Sequence, residues 1–234
     1  MKNIVILLSL SMLFFGCTKD WGSPATRNYP INGTFTQLDV SNAFEVTVSD
    51  QVTDVVVTVG ERAHDRVVVK IVDDELQIGF KPNTIYNGKA TAVIPANANL
   101  STLELSGASS FTGNLRGNNV DLDLSGASTC RGTIEAMKLD IDLSGASVAI
   151  INGVCQTKME IDLSGASTLK AANLSALSVH GEMSGASDAD VTVCSALNVE
   201  LSGASTLTYG TSSEECHPNI NCPASGESVV RPRQ

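Results

Sequence analysis

Six acidic residues recur through the second half of the chain at near-constant spacing: Glu104, Asp123, Asp142, Asp162, Glu182 and Glu200. Each stands two residues before a Ser-Gly-Ala-Ser tetrapeptide. Two residues further upstream lie Thr102, Asp121, Asp140, Glu160, His180 and Asn198, adding three acids beside the first set. Carboxylates at this density suit a hard divalent cation, with calcium the most tolerant of irregular geometry. They also suit a basic partner, or acid–base hydrolysis of a glycan. Carboxylates two apart on one strand stand ~6.5–7 Å apart, which overlaps the separation in inverting glycosidases. Regularity argues against hydrolysis, because catalysis needs one position in an unusual environment and this column repeats at every level. It also lacks aromatic platforms for sugar rings and a Lys or Arg base for elimination. No enzymatic activity is expected, no catalytic residue is assigned, and calcium on the stripe is the one cofactor to consider. The plain alternative is a solvated face that keeps a flat sheet soluble.

The elements that hold these acids follow from the tetrapeptides, which begin at Ser106, Ser125, Ser144, Ser164, Ser184 and Ser202. So steady an interval means one structural unit stacked on copies of itself. One position before each Ser lie Leu105, Leu124, Leu143, Leu163, Met183 and Leu201. Three before lie Leu103, Leu122, Ile141, Ile161, Gly181 and Val199. Apolar residues two apart with polar ones between give the period of a half-buried strand. After the motif, Phe111, Cys130, Ala149, Leu169, Ala189 and Leu207 share a column, followed by Leu115, Ile134, Val154, Leu174 and Val193. Two strands and two corners per repeat make one turn of a parallel β-solenoid. The Gly of each motif permits a corner at positive φ, and the Ser residues can bond backbone and stacked neighbours. A left-handed hexapeptide helix does not fit, since neither the step from Ser106 to Ser125 nor that from Ser144 to Ser164 is a multiple of six. A right-handed solenoid is expected. Adjacent like charges ~4.8 Å apart would cost roughly 1 kcal/mol each in water, so cations, protonation or splaying must relieve them. Gly181 replaces an inward aliphatic residue, so any kink or bulge is expected there.

Residues 1–16 read as a signal peptide: Lys2, an apolar run from Ile4 to Phe15, then Gly16. Gly16-Cys17 resembles a bacterial lipobox, which would make Cys17 a lipidated N-terminus; Phe14 departs from the usual Leu of that motif. Residues 17–30 then serve as a lipidated tether, 31–210 as one β domain and 211–234 as a tail or cap. Within the domain, 31–98 carries irregular strands such as Phe44-Glu-Val-Thr-Val, and 99–210 carries the six repeats. Cys130 reads as a buried thiol, Cys155 and Cys194 as too far apart to bridge, and Cys216–Cys222 as the disulfide of an oxidising compartment. His64 falls in a turn, His180 beside Glu160, and His217 between the tail cysteines; no metal site is assigned. Without Lys2 the chain has 14 basic and 25 acidic residues, a net charge near −11. Nucleic acid is a poor partner for such a surface.

These features resemble the family of putative auto-transporter adhesins with a head GIN domain. The resemblance rests on Phe44-Glu-Val-Thr-Val with Leu76-Gln-Ile-Gly-Phe-Lys, on the Leu-x-Leu-Ser-Gly-Ala-Ser repeats, and on the terminal Ser-Thr-Leu-Thr-Tyr209-Gly210. It spans about residues 34–210. It implies an all-β, two-sheet right-handed parallel β-helix without the catalytic residues of pectin-lyase-type solenoids. It also implies an exported, often lipid-anchored envelope protein with a role in adhesion. The expectation is therefore an outer-membrane lipoprotein, periplasmic or surface-facing, whose acidic face binds a glycan or a protein. A self-assembling envelope component (a homo-oligomer) is the alternative, and a carbohydrate-active enzyme ranks third.

Overall fold

The computed structural model describes residues 20–96 and 99–234. The signal peptide and the lipidation of Cys17 lie outside the described residues. The chain forms a parallel β-solenoid of about seven turns. Its repeating body is five long strands: β9 (Ser110–Leu124), β10 (Thr129–Leu143), β11 (Val148–Leu163), β12 (Thr168–Met183) and β13 (Asp188–Leu201). Eight shorter strands precede them: β1 (Pro24–Tyr29), β2 (Gln37–Val40), β3 (Phe44–Ser49), β4 (Val55–Gly60), β5 (Val67–Val72), β6 (Glu75–Phe80), β7 (Ala90–Pro95) and β8 (Thr102–Leu105). Three follow: β14 (Thr206–Gly210), β15 (Asn219–Asn221) and β16 (Val229–Pro232).

Each long strand runs through both legs of a coil. The start of β9 pairs with β3 and its end with β8, so the two legs stack into two faces. Between the faces lies the core. Phe111, Cys130, Ala149, Leu169, Ala189 and Leu207 are fully buried on one side, and Val120, Leu139, Met159, Val179 and Leu197 on the other. The second inward column departs from its pattern at one level. Gly153, at φ +119°, takes the place opposite Ile134, so Ile151 turns inward and Val154 is left exposed.

The tetrapeptides form the other corner. Gly107, Gly126, Gly145, Gly165, Gly185 and Gly203 all have φ between +71° and +75°. From the second motif on, each following Ala N–H donates to the glycine carbonyl one coil below, as Ala146 does to Gly126 at 2.7 Å. The first Ser of each motif remains at the surface while the last is buried, from Ser109 through Ser205. Inner hydroxyls bond backbone: Ser128 Oγ donates to Ser125 O at 2.8 Å and Ser147 Oγ to Leu124 O at 2.9 Å. Gly181 has an unusual φ of +137° yet keeps register with Ile161 and Val199. The bulges lie elsewhere, in the first leg and the opposite corner: Ala136/Lys138, Ile150/Asn152, Cys155/Lys158, Ala171/Ser175 and Ala176/Ser178. The corners set by S-G-A-S are fixed by glycine, so variable coil length is absorbed on the far side.

Both domain boundaries move outward. The stretch expected to be a tether contains β1, which pairs antiparallel with β4, and Trp21 is buried at 7% exposure. At the other end β15 pairs with β13 and β16 with β14, so the expected tail adds a further coil. Its corner is Ser225-Gly226-Glu227-Ser228, with Gly226 at φ +72° and Glu227 N–H donating to Gly203 O.

The disulfide joins Cys194 to Cys216, with Cα atoms 4.5 Å apart, and the expected Cys216–Cys222 bridge is not formed. Extended β15 lies between Cys216 and Cys222 and carries them apart; Cys222 Sγ instead lies against Leu197 O. Cys130 and Cys155 are buried free thiols, and burial pushes the Cys130 thiol up to about 12. The 3-10 helix Glu61–Arg66 carries His64, which the sequence placed in a turn. It is buried, with Nδ1 2.9 Å from the Tyr29 hydroxyl and Nε2 2.9 Å from Ala25 O. Since a carbonyl only accepts, Nε2 carries hydrogen, and the ring fastens β1 to the body.

Candidate functional site: an acidic face in register

The ladder places every expected acid in one of two straight columns. The inner column runs Glu104, Asp123, Asp142, Asp162, Glu182, Glu200, each directly opposite the next. The outer column runs Thr102, Asp121, Asp140, Glu160, His180, Asn198 and then Asn221. Parallel pairing without a slip on this leg is what the inward Val120, Leu122 and Leu124 positions enforce. A one-residue slip would drive carboxylates into the core.

Two members escaped the sequence. Asp39 lies opposite Glu104, and Gln37 connects Thr102 to Glu75, so both columns continue into the N-terminal strands. The signal was present: Leu38-Asp39-Val40-Ser41-Asn42-Ala43 is a variant of Leu122-Asp123-Leu124-Ser125-Gly126-Ala127. Asn42 and Ala43, at φ +62° and +61°, make the corner that stacks beneath Gly107.

The carboxylates feel one another. Burial raises Asp142 above the usual range, reinforced by Asp162, Asp123, Asp140 and Asp121. Burial likewise raises Asp140, with Asp121 and Glu160 adding to it and Lys158 and Lys138 opposing. Glu104 is raised by burial and then by Asp39, Glu75 and Asp123, and Asp39 by burial and Glu75. The repulsion anticipated from spacing is therefore only partly relieved from within. Lys158 does pair with Glu160 at 2.5 Å, the partner the sequence had offered to His180.

The face is not uniform along its length. Near its C-terminal end a groove of about 650 Å³ opens among Asp142, Asp162, His180, Glu182 and Glu200, bounded by Asn221 and Pro223. Gly181 lines it, and a side chain at that position would clash with the Ile161 carbonyl oxygen. Among the described residues, no three His, Cys, Asp or Glu side chains converge as a metal site requires. Nor is any helix among them long and apolar enough to cross a membrane.

Solved structures share this architecture. A putative adhesin from Bacteroides fragilis NCTC 9343 matches with a TM-score of 0.78 at 17% identity, over 90% of this chain and 97% of that one. A putative lipid binding protein from Parabacteroides distasonis ATCC 8503 matches at 0.67 and 16% identity, over 91% and 98%. A putative adhesin from the same organism matches at 0.61 and 20%, over 91% and 98%. At these identities the likeness is one of fold. No curated protein matches. The family model described as "Putative auto-transporter adhesin, head GIN domain" matches residues 34–212, which includes every S-G-A-S corner and all but the last turn. With its repeats, its register and that match in agreement, the chain belongs to the head GIN domain family of putative auto-transporter adhesins.

Proposed function

We propose that this protein is an exported, lipid-anchored adhesion protein that binds through its acidic face and catalyses no reaction. The observation that carries the reading is the pair of carboxylate columns held in register from Asp39 to Glu200. Like charges in contact destabilise the free protein, and a partner that neutralises them recovers that energy. Membership of an adhesin family supports the role. The sequence around Cys17 supports the anchor, with lipid on an outer-membrane leaflet and the body periplasmic or at the cell surface.

Charge favours a basic protein surface as the partner, with a glycan bridged by calcium as the alternative. Affinity comes from many weak contacts repeated along the columns. Self-assembly is a second reading, favoured by one observation: β1 and β16 end the strand order, each with a single pairing partner among the described strands. Such edges can accept a strand from another copy.

A binding array of the mature chain tests the proposal against glycans, matrix proteins and bacterial envelope fractions, with calcium and with chelator. A triple Asp123→Asn, Asp142→Asn, Asp162→Asn variant runs beside it. A hit lost in the variant supports binding by the stripe, and loss with chelator assigns calcium a part. A blank array from folded protein that associates with itself would favour assembly. Turnover of an acidic polysaccharide would return an enzyme.

A further inference from the structure

We propose that the N-terminal end of the solenoid docks directly on the lipid surface through the loop Lys81–Lys89, standing the acidic columns away from the membrane. The inference rests on the lipid-anchor reading of Cys17. Its first support is covalent reach. Asp20 is tied to Arg62 by an ion pair of 2.8 Å and accepts the Gly22 N–H, and Trp21 is already buried. Three chain steps separate Cys17 from this fixed point, so backbone reach puts the Cα that would bear the lipid within ~11 Å of it. There is no long tether; the body rides on its anchor.

The second support is what lies beside that point. Trp21 packs edge-on against Tyr86 at 5.7 Å, and Tyr86 belongs to the Lys81–Lys89 loop. The next residue back, Ile85, is 86% exposed, more than any other large apolar side chain among the described residues. Lys81 and Lys89 bracket it, both exposed although Lys89 also meets Glu45 and Lys81 the Asp65 carbonyl. An apolar tip with flanking ammonium groups and a half-buried Tyr is the pattern of an interfacial anchor. The loop is also held in shape: Arg66 donates to Thr84 Oγ1 and Pro82 O, and the Tyr86 hydroxyl accepts the Gly60 N–H. A presented Ile costs little further ordering when it meets the headgroups. The lipid on Cys17 would hold the body at the membrane, and the loop contact then fixes which way up it stands. β1 and β4 lie at this end of the strand order and β16 at the other. About seven coils at ~4.8 Å then project the columns ~34 Å outward.

The test uses the full chain, processed and lipidated in a bacterial host and reconstituted into vesicles of phosphatidylethanolamine and phosphatidylglycerol. Ile85→Trp and Val229→Trp variants are compared in vesicles with and without brominated acyl chains, after subtracting the Trp21 signal of the parent. Docking predicts that the Ile85→Trp emission shifts blue and is quenched by bromine, while Val229→Trp is unaffected. Flotation with the vesicles but no quenching of Ile85→Trp overturns the docking and leaves the anchor standing. Equal quenching at both sites overturns the upright orientation, and failure to float removes anchor and docking together.

Discussion

Asp142 lies directly opposite Asp162 in the parallel ladder, and after burial the charge of Asp162 is the largest cause holding the Asp142 carboxyl above its usual range. Burial and neighbouring acids likewise raise Glu104 and Asp140 through their ladder partners, and Asp39 through the diagonal Glu75. Regular duplication has therefore built a face whose members oppose one another's ionisation.

The sign of the resulting pH dependence follows from linkage. A carboxyl raised in the folded state binds more protons there than in the unfolded chain, so stability falls as pH rises through the window between the two values. The penalty is complete above the folded value and vanishes below the unfolded one. Asp20 has the opposite sign but is a single, solvent-exposed group. Thermal melts from pH 7 down to about pH 4.5 are expected to show these four groups adding stability on acidification. Because Asp142 is solvent-exposed and its repulsions are screened, Asp142→Asn should stabilise by only about 0.5 kcal/mol at pH 7 and low salt, flatten this dependence, and lose its advantage in high salt. An Asp142→Asn protein less stable than the parent at low salt would contradict the account.

The corners make a sharper claim. A Cβ on Gly145 would stand 2.5 Å from the Gly126 carbonyl oxygen, and the residue already lies at φ +71°. Gly145→Ala combines a left-handed backbone with a backbone clash and should destabilise by ~2 kcal/mol or more. Gly33→Ala, whose φ is +123° but which has nothing within 4 Å, should cost less. Denaturant midpoints of the two variants decide it.

Inner serines should differ although they occupy one column. Ser147 Oγ donates to Leu124 O and also contacts Ser144 O, whereas the buried Ser167 hydroxyl has no hydrogen-bond partner among the described residues. Ser147→Ala is expected to cost about 1 kcal/mol, and Ser167→Ala to be neutral or stabilising. Equal losses would mean the hydroxyls act through packing alone.

The Cys194–Cys216 bond clips the last coil to the one beneath it. Reduction, or Cys194→Ser with Cys216→Ser, should lower stability by ~2–4 kcal/mol. Cys222→Ser should leave it nearly unchanged, since Cys222 makes no disulfide. Non-reducing peptide mapping that recovers Cys216 joined to Cys222 would refute this arrangement.

Much of this was readable in the repeats, because a coil that closes at so steady an interval forces inward, outward and corner positions into fixed columns. Glu104 to Glu200 and the glycine corners followed from that alone. The ends were hidden for a physical reason. Ser41 and Ser106 are stacked corners yet lie far apart in the chain, because the excursion from β3 to β7 intervenes. Asp39 was lost with that corner. Ser225-Gly226-Glu227-Ser228 follows Ser202 at a longer interval than separates any two tetrapeptides in succession. With Glu in the Ala position and Pro223 in the acidic one, its period was invisible. Misplacing that coil also misplaced Cys216. Trp21 reads as linker because nothing local in Asp20-Trp21-Gly22 announces its packing against Tyr86.

The most direct test of the acidic face is graded neutralisation. Asp123→Asn, then Asp123→Asn with Asp142→Asn, then the triple with Asp162→Asn would be measured by surface plasmon resonance against the ligand found by the array. Stepwise weakening with each coil, and a shallower salt dependence at each step, is the predicted result. Undiminished affinity in the triple variant, or complete loss from any single substitution, would contradict binding by a repeated acidic surface.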